Sequence, residues 1–155
     1  MNPRYFDDFS PGDRFVSAGK TMTEGEIVAF AFTYDPQPIH LDREAAEASP
    51  YGGLIASGFQ TMAVGFRLAW QTNLFSACSL GSPGLDEVRW LKPVRPGDTL
   101  RTVIEIVELR PSASKPDRGV ARIRYSVIDQ IDEAVMTMIA VQILARRPAP
   151  TEKSG

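Results

Sequence analysis

The sequence predicts an α+β fold, a mostly antiparallel sheet with one long helix laid against its face. Three observations predict it. Residues 57–74 carry a long apolar helical pattern in which only Arg67 is charged. From Gly81 onward the pattern changes to Val- and Ile-rich runs typical of strands. Short turns separate those runs, and short turns favour antiparallel pairing. At 155 residues the chain is long enough for one domain with a proper core. Residues 1–147 are expected to form that domain. The polar, Pro-containing tail from Pro148 to Gly155 is expected to be disordered.

Each element follows from local signals. Ser10-Pro11-Gly12-Asp13 is a turn, and a short strand is expected over 14–18. Thr23 and Glu26 have capping-box spacing and open a helix to about Thr33, with Ile27, Phe30, Ala31 and Tyr34 on one face. Asp42 can cap a short helix over 43–48, ended by Ser49-Pro50-Tyr51-Gly52-Gly53. Ser57 and Gln60 form a second capping pair for the long helix, which reads as buried on most sides. Leu85 to Leu91 alternates, with Val88 and Trp90 on one side. A long strand is expected over 99–109. In 121–127 the apolar set is Ala121, Ile123, Tyr125 and Val127. Val135 to Leu144 is apolar on both faces, as a central strand is. Pro-Gly-Asp occurs at residues 11–13 and again at 96–98, and both copies read as turn chemistry.

Composition removes several function classes. Apolar residues make up 43% and charged residues 23%, which marks a soluble globular chain. Net charge is −2, with no basic run to draw nucleic acid, so no nucleic-acid partner is expected. The single cysteine, Cys78, excludes an intrachain disulfide and suits a reducing, cytoplasmic setting. One histidine and one cysteine leave no ligand set for structural zinc, so no metal is expected. No window approaches the ~18 apolar residues of a membrane span, and the N-terminus lacks the apolar run of a signal peptide.

Chemistry concentrates in Tyr34-Asp35-Pro36-Gln37-Pro38-Ile39-His40-Leu41-Asp42, followed by Ala56-Ser57-Gly58-Phe59-Gln60-Thr61. His40 is the only histidine, and Asp35 lies five residues before it. The prolines bias Asp35 and Gln37 away from helical geometry and stiffen the turn. Such a turn can hold one water or one proton between an acid and an imidazole. The plainer alternative is an aspartate capping a turn beside an ordinary half-buried histidine. Asp42 reads as a helix cap.

At these residues the chain resembles the MaoC-like dehydratases, which include the (R)-specific enoyl-CoA hydratases. The resemblance runs from about Phe6 to Arg147 and is most specific over residues 30–42. It implies the hotdog fold, a curved antiparallel sheet wrapped around one central helix. It also implies a homodimer or dimer of dimers acting on a small-molecule acyl-CoA substrate. Asp35 and His40 match the family's catalytic dyad, and Gly58 matches its backbone oxyanion donor, with Ser57 beside it as a substrate-side residue. The family commonly has Asn where this chain has Gln37, and His-Gly where it has Ser57-Gly58. Phe66 falls near a serine carried by some hydratases.

Hydration of an enoyl thioester needs a base for water, an acid for the α-carbon and donors for the enolate oxygen. Asp35 and His40 can share the proton work. Free N–H groups at the long helix's start suit an oxyanion. No cofactor is expected, since CoA arrives as part of the substrate. Arg89, Lys92 and Arg95 near a strand end are candidate contacts to CoA phosphates, or else a solvated strand face. Two other functions remain open. A hotdog thioesterase commonly places a carboxylate on the central helix, and residues 59–74 contain none. A non-catalytic acyl-CoA-binding module would have no need of the Asp35/His40 pair.

Overall fold

A computed structural model describes residues 2–150. The expected tail falls mostly outside them, at 151–155. The order of elements is a 3-10 turn (Phe6–Asp8), β1 (Arg14–Val16), β2 (Lys20–Thr21), α1 (Glu24–Tyr34), α2 (Pro38–Leu41), α3 (Arg43–Ala48), α4 (Gly58–Trp70), then β3 (Gly84–Trp90), β4 (Thr99–Pro111), β5 (Arg118–Ile128) and β6 (Ala134–Ala145). The sheet runs β1-β4-β5-β6-β3, with every neighbouring pair antiparallel, and β2 pairs antiparallel with β4. The α+β expectation therefore holds, with α4 lying across the sheet.

β5 shows why the alternating pattern works. Ala121, Ile123, Tyr125 and Val127 are buried under α4, while Arg122, Arg124 and Ser126 are only partly covered on the other face. Arg124 there reaches Glu105 of β4 at 3.3 Å, and Arg122 reaches Asp86 of β3 at 2.9 Å. β6 is buried on both faces through Val135, Met136, Met138, Ile139 and Ala140, as its uniform apolar run predicts. Within the core the Tyr125 hydroxyl donates to the side-chain carbonyl of Gln142. α4 is fastened to the sheet where the Thr102 hydroxyl donates to the Gly65 carbonyl at 2.8 Å. Gly65 faces the Val127 side chain so closely that a Cβ there would overlap it.

Several local expectations are corrected. α1 has the capping box, with Thr23 accepting from the Glu26 N–H, but only Ile27 and Ala31 of its face are buried. In its last turn Tyr34 is 72% exposed, its ring tilted against Phe30 with centroids 5.2 Å apart. The long helix ends at Trp70 rather than near Leu74. Ser57 caps it, but Gln60 does not reach back; its amide donates instead to the Glu26 carbonyl of α1 at 3.1 Å. Nor is α4 buried on most sides. The sheet covers one face, while Phe59, Phe66 and Trp70 are 58%, 44% and 42% exposed along another. β3 does not alternate cleanly: Glu87 takes a positive φ of 51°, and the register with β6 shifts between Asp86 and Arg89.

Candidate active site

The end of α1, the one turn of α2 and the start of α4 bring the candidate residues together. α1 stops at Asp35, whose backbone (φ −151°, ψ 72°) leaves the helix and turns the carboxylate inward. The segment expected to be a stiff turn is a one-turn helix, with Gln37 as its N-cap and Pro38 at its first position. Proline thus starts α2 and fixes the direction in which His40 points. The chain then passes through α3, capped by Asp42 accepting from the Ala45 N–H, and returns at Ser57 to begin α4.

His40 is 4% exposed. Its Nδ1 lies 2.7 Å from the carbonyl oxygen of Ile55, and a carbonyl can only accept. Nδ1 therefore carries a hydrogen, and Nε2 is the nitrogen left to exchange a proton. Nε2 faces Asp35 Oδ2 at 3.3 Å. Both oxygens of Asp35 are also loaded. The Ser57 hydroxyl donates to Oδ2 at 2.6 Å, and the Gln37 amide donates to Oδ1 at 2.7 Å. The Ser57 hydroxyl, then the Gln37 amide, hold the Asp35 carboxyl below its ordinary value; partial burial opposes them and the imidazole adds to them.

Beside the pair is a cavity of about 420 Å³. Asp35, His40 and Gly58 line it together with Tyr51, Ile55 and Trp90. Ser57 does not; it is 0% exposed, behind Asp35. At the start of α4 the Phe59 N–H is taken by Ser57 Oγ (3.2 Å), and the first helical bond runs from the Thr61 N–H to the Ser57 carbonyl (3.1 Å). The Gly58 N–H stands ahead of that pattern, at the positive end of the helix. The Trp90 indole N–H donates to the Gly58 carbonyl at 2.8 Å, and its ring lies so near that a Cβ on Gly58 would be 2.5 Å from Nε1. Any side chain there would have to displace the Trp90 ring.

The three basic residues are placed differently. Lys92 lines the cavity, but its ammonium sits 2.7 Å from Asp129 and 2.6 Å from Glu133, and these two carboxylates raise its pKa. Arg95, exposed and outside the cavity lining, donates to the Tyr51 carbonyl at 2.5 Å. Arg89 is outside the cavity lining and bonds the carbonyl of Val88. Among the described residues no cluster of His, Cys, Asp and Glu could hold a metal, and no helix is long and apolar enough to cross a membrane. Sequence reasoning missed Trp90, the Ile55 carbonyl and Asp129. Trp90 sits in an alternating strand pattern and reads as core, and a backbone carbonyl leaves no trace in residue identity.

A six-strand antiparallel sheet crossed by one helix, with an acid and an imidazole at that helix's start, defines a hotdog-fold protein. A conserved Mycobacterium tuberculosis protein described as having a double hotdog fold superposes with a TM-score of 0.76 at 27% identity, over 98% of this chain and 46% of that one. Within that class the chain belongs to the MaoC like domain family, which residues 8–128 match. It is similar to a MaoC-like dehydratase structure from Rhodospirillum rubrum, with a TM-score of 0.88 and 37% identity over 94% of this chain and 99% of that one. It is also 39% identical over 89 residues to 3-hydroxyacyl-thioester dehydratase Z of Mycobacterium tuberculosis, a span of 56% of this chain and 59% of that protein.

Proposed function

We propose that this protein is a hydratase/dehydratase that adds water to an enoyl-CoA, or removes it from a 3-hydroxyacyl-CoA, through Asp35 and His40. The observation that carries the proposal is the convergence of Asp35 Oδ2 and His40 Nε2 at 3.3 Å on a cavity that also exposes the start of α4. In the hydration direction the thioester carbonyl accepts from the Gly58 N–H, which draws electron density from the β-carbon. A water held by the dyad loses a proton to it as its oxygen bonds the β-carbon. The electron pair of the double bond moves to form the enolate. The dyad then gives the proton it took to the α-carbon as the enolate collapses, leaving the thioester intact and the dyad restored. The acid and base roles are thus closed within one dyad and one water.

The family resemblance and the relatives named dehydratase support this reading. The exposed apolar stripe on α4 supports a homodimer, because Phe59, Phe66 and Trp70 present a surface that one chain leaves uncovered. β3 adds a free sheet edge with Leu85 43% and Trp90 50% exposed, so a second copy seated there closes over the cavity. Sedimentation showing a monomer at micromolar concentration would remove the dimer from the proposal.

The activity test uses purified protein and crotonyl-CoA. Loss of enoyl-thioester absorbance with a silent thiol reagent, and an (R)-3-hydroxyacyl product, is the expected result. Stoichiometric thiol release would replace this reading with a thioesterase. Binding without change in either signal, across a panel of enoyl-CoAs, would make the protein a non-catalytic acyl-CoA module.

A further inference from the structure

Ser57 occupies an unusual position. It is fully buried between the carboxylate of Asp35 and the first turn of α4. A serine hydroxyl has one hydrogen to donate. Here that hydrogen goes to Asp35 Oδ2 at 2.6 Å, the same oxygen that faces His40. The Ser57 oxygen meanwhile accepts the Phe59 N–H at 3.2 Å. No hydrogen remains for a substrate oxygen, and the side chain does not reach the cavity. On the other side of the carboxylate, Gln37 donates its amide to Oδ1 at 2.7 Å, and its backbone N–H donates to the Asp35 carbonyl at 2.8 Å. The acid is therefore held by both oxygens and by its own backbone. The series Phe59 N–H, Ser57 hydroxyl, Asp35 carboxylate links the start of α4 directly to the dyad.

We propose that Ser57, assisted by Gln37, is a positioning residue for Asp35, fixing the oxygen that faces His40 and leaving the thioester oxygen to the backbone of Gly58. The inference deepens the hydratase reading and rests on it for its kinetic consequence, but not for its spectroscopic one. With the hydroxyl in place Asp35 remains an anion as the surroundings become acidic. Without it, the carboxylate takes a proton at higher pH and loses its fixed orientation.

The test exploits His40 as the only histidine. Its ring NMR signals in the full chain report Asp35 protonation as a step during acid titration. Ser57→Ala and Ser57→Gly are expected to move that step up by about one pH unit, the size set by one hydrogen bond to a charged group. Gly is tolerated as a helix cap, which separates the lost donor from a lost cap. Ser57→Thr, which keeps the hydroxyl, is expected to return the step toward its original place. Gln37→Ala, which keeps the backbone that caps α2 because the Gln37 side chain makes no cap hydrogen bond, should move it in the same direction by less. With crotonyl-CoA the acid limb of kcat should shift with the NMR step, while KM stays nearly unchanged. A step that stays put in the Ala, Gly and Gln37 variants would overturn the proposal. So would a raised KM with an unshifted profile, which would return Ser57 to substrate binding. If the unaltered protein hydrates no enoyl thioester, the hydratase reading fails, and the NMR step still decides the role of Ser57.

Discussion

Replacing Gly58 by alanine sets two effects against each other. The added Cβ would lie 2.5 Å from Trp90 Nε1 and 2.6 Å from Cε2, about 1 Å inside ordinary contact. Overpacking of this kind costs ~1–3 kcal/mol. Trp90 is 50% exposed, so its ring can swing outward, at the loss of the 2.8 Å bond to the Gly58 carbonyl and the edge-on packing against Phe59. That route costs ~0.5–1.5 kcal/mol for the hydrogen bond and a similar amount for the aromatic pair. Alanine returns up to ~1 kcal/mol through its better helix propensity. The net is a destabilisation of about 1 kcal/mol. For a domain of this size, at roughly 2–4 °C per kcal/mol, Tm should fall by about 2–4 °C. Thermal unfolding followed by circular dichroism measures this, and a second background isolates its cause. In a Trp90→Ala protein the same Gly58→Ala change should cost nothing or stabilise slightly. A Gly58→Ala protein as stable as the original, or a loss unaltered by removing Trp90, would refute the steric argument.

Two other outcomes follow from the site. Asp35→Asn and His40→Ala should each lower turnover of an enoyl-CoA by ~10²–10⁴-fold, and the double variant should be scarcely worse than either, because both act on one water; additive losses would show that they do not act together. Asp129, 1% exposed, has its carboxyl pushed up by burial, but the Lys92 ammonium and the N–H groups of Glu133 and Ile131 outweigh this and hold it below its ordinary value. A carboxyl lowered in the folded state contributes stability above its unfolded value and loses it as pH falls through the folded value. The urea midpoint should therefore fall on acidification below about pH 4, and Asp129→Asn should be less stable at neutral pH with a flatter acid dependence.

The sequence announced what depends on period and on turn chemistry. The alternation in β5, the apolar run of β6, the capping box at Thr23 and the caps at Asp42 and Ser57 are local signals, and the structure contains all of them. Asp35 and His40 were legible because two prolines and a small-residue run mark a constrained segment. What was hidden depends on residues distant in the chain. Gln60 has the spacing to cap its own helix, yet packing against α1 directs its amide to Glu26. The α4 surface looked buried because its residues are apolar; apolarity records that a face avoids water, not which chain covers it. Lys92 looked like a free cation because Asp129, 37 residues later, gives no local sign of pairing with it.

The bond from Ile55 to His40 places two duties in one residue. Ile55 lines the cavity, and its carbonyl fixes the imidazole tautomer. Side chains can be exchanged by mutation, but every residue supplies the same carbonyl. Changes at residue 55 can therefore reshape the cavity wall without disturbing the imidazole's hydrogen bond, so long as the backbone keeps its course. Cavity shape and imidazole orientation are heritable separately at this position. Under the hydratase proposal, a library that varies residue 55 is accordingly a place to seek altered chain-length preference with activity retained.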